Sequence, residues 1–302
     1  PLPSFSCPQI RSLTGCFNKI PIKQILISQH CDALQAGADI INDLAGGNTL
    51  FYLKVPQKIS SLPAVEYFAE EMKVILKKMT GGMPNLAARR RAGKKTHKRK
   101  QLLNRLYKMI SFFDFYTFYS LLRGLALIPY ELGNTLLEGV LEESGLSAGK
   151  KEGPGILLCG SHLPGKVLLN ALDEARLIPR GDLLDSGETG IMELGEIEWD
   201  IHSLSGRTLR RIPPAGKQHD SFNRIDSLVN TIEQSKSNEE IKGVIWYRQP
   251  FCDPIGFDIP LGTEALKDKK IAALSIEYAN KSDSGRLSTR LEAFSEMLGG
   301  GK

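Results

Sequence analysis

The chain has 302 residues, 41% hydrophobic and 24% charged with a net charge of +5, a composition that excludes disordered and fibrous classes and fits about two folded domains. No stretch supplies the ~18 uninterrupted apolar residues of a membrane helix, and the longest candidate, residues 110–129, is broken by Asp114 and Arg123 and reads as a buried helix pair. Pro1 opens no secretory signal and five scattered cysteines make no disulfide framework, so a cytoplasmic protein with free thiols, processed or shortened at its start, is the expectation.

In chain order, residues 22–27 are predicted as a short strand, with His30, Cys31 and Asp32 at its end. Residues 33–44 read as a helix and residues 50–55 as a second strand, stopped by Pro56. Residues 64–80 carry Phe68, Met72, Ile75 and Leu76 at helical spacing and end at Gly81-Gly82. From Pro84 to about Ser144 the pattern is helical throughout. After the linker at 149–155, residues 156–159 form an apolar strand that turns through Gly160 to Gly165 into a helix over 166–175. Further strands are expected at 182–185, 243–247 and 271–277, with helices at 222–233 and 285–298. Strands alternating with helices imply an α/β fold of parallel sheets with crossover helices. The organisation expected is a first α/β domain over 1–82, a helical section over 83–150 and a second α/β domain over 151–302.

Two Cys-Asp pairs follow predicted strands. Cys252 comes directly after the run Val244-Ile245-Trp246-Tyr247, within Phe251-Cys252-Asp253-Pro254, and Cys31-Asp32 lies far upstream. The carboxyl ends of strands face the crevice where open α/β sheets bind ligands, so cysteines there are candidates for one metal centre. The alternative for each cysteine alone is a small buried hydrophobe. Cys159 ends an apolar strand and reads as core, and Cys16 is an extra ligand or a bystander.

Residues 89–100 hold eight Lys/Arg and no acid, and the net charge of +5 falls to −3 once they are set aside. Three readings stand: a solvated helix face, a surface for an anionic partner such as a coenzyme A phosphate tail, or a nucleic-acid contact. Nucleic acid is the least expected, because no aromatic residue is interleaved for stacking. Gly160 to Gly165 is read as a strand-to-helix turn, or as a phosphate contact that lacks the Lys-Ser/Thr ending of a P-loop. His30 and His162 are loop residues that either tune a neighbouring site or are satisfied locally, and Glu277, Tyr278, Thr289 and Arg290 lie near the last strand and closing helix.

Cys7-Pro8-Gln9-Ile10-Arg11-Ser12, Cys31-Asp32-Ala33, Phe251-Cys252-Asp253-Pro254 and Ser288-Thr289-Arg290-Leu291-Glu292-Ala293-Phe294, in that order, resemble the signatures of the 2-hydroxyacyl-CoA dehydratase and benzoyl-CoA reductase family. Residues 50–56 with Tyr67 and Phe68 beyond them, the turn at 157–160, residues 185–190, Arg224 and residues 243–245 also resemble its pattern, so the likeness spans nearly the whole chain.

The resemblance implies two Rossmann- or flavodoxin-like domains and a [4Fe-4S] cluster ligated by Cys7, Cys31 and Cys252. Three thiolates leave one iron open, where four are the common ligation. In this family one electron delivered to a CoA thioester carbonyl gives a ketyl radical that expels hydroxide and acidifies the β-proton; relatives reduce an aromatic ring by the same logic. The implied partners are a homologous second subunit or second copy, an ATP-dependent iron-sulfur activator, and an acyl-CoA or aryl-CoA substrate. Relatives carry several dozen residues before the first cysteine, whereas Cys7 is almost terminal here. The second expectation is therefore a non-catalytic or electron-transfer iron-sulfur paralogue with an incomplete substrate pocket. Five cysteines are too few for the larger double-cubane cluster of similar proteins.

Overall fold

The computed structural model describes residues 6–17, 24–28, 31–45, 50–56, 61–147, 151–160, 162, 164–184, 200–210, 221–236, 241–278 and 284–299. The elements in chain order are α1 (Pro8–Phe17), β1 (Ile25–Ser28), α2 (Asp32–Ala45), β2 (Leu50–Leu53), α3 (Leu62–Thr80), α4 (Leu86–Lys108), a 3-10 turn (Ile110–Phe112), α5 (Phe115–Leu125) and α6 (Tyr130–Ser147). They continue as β3 (Gly155–Gly160), α7 (Lys166–Glu174), β4 (Ile178–Leu184), α8 (Ile201–Arg210), α9 (Ser221–Lys236), β5 (Gly243–Arg248), α10 (Asp253–Asp268), β6 (Ala272–Glu277) and α11 (Ser284–Met297). All strand pairings among them are parallel, so the expected α/β class with crossover helices is what the chain adopts.

The chain divides into two compact units. One comprises Pro1–Gly93, Leu194–Ser221 and Pro250–Pro254, and the other Lys94–Glu193, Phe222–Gln249 and Ile255–Lys302.

In the first unit β1 and β2 pair in register from Ile25↔Leu50 to Ser28↔Leu53. Strand β2 stops at Leu53, short of the predicted 55, because its partner ends at Ser28 and a lone extension has no ladder to join. Ile27, Ala38 and Ile41 are buried with Leu13 and Phe17 of α1 against this ribbon. Gly37 lets α1 approach α2 closely, since a Cβ there would lie 2.5 Å from Ile10 Cγ2. Ala64 and Phe68 of α3 are buried with Leu209 of α8, while Leu53 and Val55 pack beside them. Helices α1 and α8 have no counterpart among the predicted elements, because both are short and polar-rich.

The second unit is built on a four-stranded parallel sheet of order β4-β3-β5-β6. Both faces are covered, which is why β3 and most of β5 are continuous apolar runs without alternation. Ile156, Leu158, Ile245 and Tyr247 face the aromatic cluster of the helical section with α7 and α11. Leu157, Cys159, Val244 and Trp246 face the buried residues of α9 and Leu266 of α10. Strand β4 begins at Ile178, four residues before the predicted start, because Pro179 and Gly181 read as breakers. An edge strand tolerates them: Pro179 lacks only an N–H that needs no ladder partner, and the register shifts between Ile156 and Leu157.

Helices α4, α5 and α6 follow the predicted helical section, with α5 started by Asp114, whose carboxylate accepts from the Thr117 N–H at 2.6 Å. The fully buried Asp182 carboxylate accepts from the hydroxyls of Tyr107 at 2.8 Å and Tyr119 at 3.0 Å and from the Leu184 N–H at 3.3 Å. The basic run lies on α4 and is more than a solvated face. Arg99 is buried, donating to Asn134 at 2.7 Å, to the Tyr130 carbonyl at 3.0 Å and to the Leu125 carbonyl at 3.2 Å, with its guanidinium 4.9 Å from the Tyr130 ring centroid. Lys95 pairs with Glu131, and Lys98 with Glu138 at 2.8 Å, so α6 neutralises part of the run.

In an order β4-β3-β5-β6 the crossovers from β3 and β5 depart in opposite directions, making a topological switch point between these two strands. Gly160 closes β3 there with φ +144°, and a methyl on it would collide with the Tyr247 carbonyl. Gly160→Ala is expected to destabilise the fold by roughly 2–4 kcal/mol, as strain and backbone collision add. A chemical melt of the two proteins at one pH checks it.

Candidate metal centre

The three cysteines share a local geometry. Each stands immediately before the first residue of a helix: Cys7 before α1, Cys31 before α2 and Cys252 before α10. The Cys7 carbonyl accepts from the Arg11 N–H and the Cys31 carbonyl from the Gln35 N–H, both at 3.1 Å, which makes these two the N-caps of their helices. The residues that follow are helix starters. Pro8 opens α1 with its fixed φ and no amide hydrogen to satisfy. Asp32 and Asp253 place a carboxylate in the first turns of α2 and α10, where the helix dipole favours it. Cys-Pro, Cys-Asp and Cys-Asp-Pro are thus one device in three spellings. Cys31 and Cys252, expected in strand-end loops, each directly precede a helix, and α10 is not legible in sequence because Pro254 and Pro260 resemble helix breakers.

A helix N-terminus suits a thiolate, since the unpaired N–H groups and the positive dipole end face an anion. The Cys31 thiol shows the competing effects. Burial pushes its pKa up, the Leu34 and Ala33 N–H groups pull it down, and the negative charges of Cys7 and Asp32 push it up again. The net shift is upward. Cys7 is therefore a neighbour that makes the Cys31 anion costly, and a cation beside such a group removes that cost. Segment Pro250–Pro254, with Cys252, packs in the same compact unit as both. Among the described residues no three His, Cys, Asp or Glu side chains gather closely enough to hold a single metal ion.

The approach to Cys252 is strained. Phe251 has φ 62°, a left-handed conformation unusual for a bulky residue, and its ring is 53% exposed, so burial of the ring does not offset the strain. Among the described residues, the Tyr52 hydroxyl on β2 and Gln249 Oε1 just after β5 are buried without a hydrogen-bond partner. Burial and the charges of Asp39, Cys31 and Asp32 hold the Tyr52 hydroxyl protonated to higher pH than an ordinary tyrosine. Residue order does not single out Tyr52 or Gln249, nor the left-handed backbone of Phe251, because orphaned hydrogen bonds and a positive φ leave no pattern in sequence.

The other candidates fall elsewhere. Cys159 is fully buried in the sheet and Cys16 is exposed on α1. Glu277 pairs with Arg248 across β5 and β6, and Arg290 donates to the Ser275 carbonyl at 2.8 Å, tying α11 to β6. The Thr289 hydroxyl donates to the Gly285 carbonyl within its own helix at 3.1 Å. His162 is half-buried in the turn after β3 and is engaged with the protein. His30 and residues 185–190 lie outside the described residues.

The described strands and helices make a parallel α/β protein with three cysteines seated at helix starts. The family model described as 2-hydroxyglutaryl-CoA dehydratase, D-component, matches residues 1–298, and the chain belongs to that family. A search of curated proteins found no match. The chain is accordingly a component of the 2-hydroxyacyl-CoA dehydratase type. Among the described residues no helix is long and apolar enough to cross a membrane.

Two outcomes follow from the geometry. Because its folded pKa is raised, Cys31 favours the protonated form, so its contribution to stability is complete below the ordinary thiol pKa and is lost as pH rises through the folded value. Alkylation of the metal-free protein, followed by mass spectrometry across pH, is expected to show Cys31 titrating above a normal thiol and moving down in Cys7→Ser. Phe251→Gly relieves the left-handed strain and is expected to raise stability by about 1 kcal/mol, whereas Phe251→Val lowers it, as measured by denaturant melts.

Proposed function

We propose that this chain is the [4Fe-4S] component of a reductive 2-hydroxyacyl-CoA dehydratase or benzoyl-CoA reductase-like enzyme, with Cys7, Cys31 and Cys252 as its three iron ligands. The observation that supports this reading is the seating of all three thiols at helix starts within one compact unit, two of them electrostatically coupled. A cubane binds its three protein thiolates through three different irons, so its donors stand farther apart than those of one ion. The donor set fits such a cluster: soft thiolates, backed by N–H groups that stabilise negative sulfur. The orphaned Tyr52 hydroxyl adds a buried donor close enough to feel the Cys31 charge.

When bound, the cluster supplies single electrons to a thioester carbonyl, the step that ordinary acid–base groups cannot replace for a weakly acidic β-proton. The chain's own residues do the rest. Pro8, Asp32 and Asp253 fix the helix starts that aim the thiols. With Cys7, Cys31 and Cys252 as its only protein ligands, such a cluster would keep one position open for water or substrate, as reactive metal sites do. Burial of the Cys31 thiol limits access of water to that side of the site. An ATP-dependent iron-sulfur activator as electron source, a homologous subunit as partner and an acyl-CoA or aryl-CoA as substrate complete this reading.

Anaerobically reconstituted protein is expected to carry about four irons and four sulfides per chain. Cys252→Ala, Cys31→Ala and Cys7→Ala are each expected to lose most of that iron, while Cys16→Ala and Cys159→Ala keep it. Iron analysis with the visible charge-transfer spectrum decides the matter, and full retention of iron in Cys252→Ala would defeat the assignment.

A further inference from the structure

Helix α4 contains no acidic residue anywhere in its 23 positions. At 100° per residue, Arg90, Arg91, Lys94, Lys98, Arg105 and Lys108 fall within one arc of about 100°, which the buried Leu102 borders and beyond which Leu106 and Arg99 turn into the protein. All six are exposed. Of these only Lys98 has a counter-ion, Glu138; Arg90, Arg91, Lys94, Arg105 and Lys108 form no ion pair among the described residues. Gln101 is the uncharged residue exposed between them. From Arg90 to Lys108 the ridge runs about 27 Å, at ~1.5 Å per residue.

The chemistry of the face selects its partner. A protein–protein interface is anchored by buried aromatic and aliphatic side chains, and between Lys94 and Lys108 this arc exposes none. A membrane-surface helix sets an apolar stripe into the lipid, whereas the apolar residues of this segment are turned into the core of the protein. A single coenzyme A phosphate group would occupy only a fraction of the ridge. Phosphodiester backbone asks for spaced cations and nothing else, and a row of ~27 Å spans the rise of about eight base pairs along a duplex axis, at 3.4 Å each, enough to meet several phosphates.

We propose that the exposed face of α4 is a sequence-independent binding surface for the phosphodiester backbone of nucleic acid. The function is separate from the cysteine centre and does not depend on it. Arg99, Lys95 and Lys98 hold the helix to α6, which keeps the remaining cations in a fixed row.

The test uses the full chain with a fluorescent DNA duplex, a single-stranded RNA and vesicles of phosphatidylserine and phosphatidylcholine, titrated over a range of salt. With five cations engaged, log K against log salt is expected to fall with a slope of about −4 to −5 for duplex DNA, and less steeply for single-stranded RNA. Duplexes of unrelated sequence should bind alike. The variant K94Q/R105Q/K108Q is expected to flatten the slope by about one unit per cation removed and to weaken low-salt binding by at least tenfold. Lys267→Gln, on α10, should bind as the parent does, and circular dichroism melts confirm that each variant is folded. Binding that the triple variant leaves unchanged overturns the proposal, as does vesicle binding without nucleic-acid binding, or no binding at the lowest salt. Iron content is expected to be the same in parent and triple variant, so failure here and failure of the cluster assignment are separate results.

Discussion

The start of a helix leaves backbone N–H groups without partners, and the candidate site of this protein is assembled from three such starts. A thiol destined to be an anion needs positive potential and hydrogen-bond donors close by. The N-terminal turns of α1, α2 and α10 offer both, independently of where these helices occur in the chain. The opposing effect is equally plain at Cys31, where burial and the neighbouring Cys7 raise the cost of ionisation above what the capping N–H groups recover. A cation beside a thiol so placed relieves that cost, because metal binding and thiol ionisation are linked.

The sheet of the second unit explains why one of these helix starts comes where it does. With β3 and β5 central and both faces covered, the polypeptide leaving either strand has little room except at the carboxyl edge. Gly160 permits the tight exit from β3, and the left-handed Phe251 permits an abrupt change of direction between β5 and α10. Backbone strain sits next to the residue of greatest chemical interest. An exposed aromatic in that conformation is a poor choice for stability alone, which sets it apart from the well-satisfied buried network of Asp182, Tyr107 and Tyr119.

Much of this was legible in residue order. Continuous apolar runs announce β3 and β5, helical spacing announces α3, and the four ordered segments carry the family resemblance. The misses share a cause. Strand β4 was shortened because Pro179 and Gly181 are penalised by local rules, though an edge position with a shifted register tolerates both. Helix α10 was overlooked because Pro254 and Pro260 resemble breakers, while its buried Ile255 and Leu266 hold it in place. None of the three readings that residue order leaves for the basic run separates its cations, yet one of its arginines is buried by three hydrogen bonds and an aromatic ring supplied from more than twenty-five residues downstream.

The sequence by itself determined the class of fold, the family and the identity of the candidate ligands, because periodicity and motif order are local properties carried by the side chains themselves. Tertiary structure alone decided that Cys7 lies close enough to act on the Cys31 thiol, that Cys252 packs in their compact unit, and that Cys16 is exposed while Cys159 is buried inside a sheet. It also divided the cations of α4 into those held by α6 and those left to solvent. Burial and charge proximity depend on residues distant in the chain, and no local pattern encodes a distance between them.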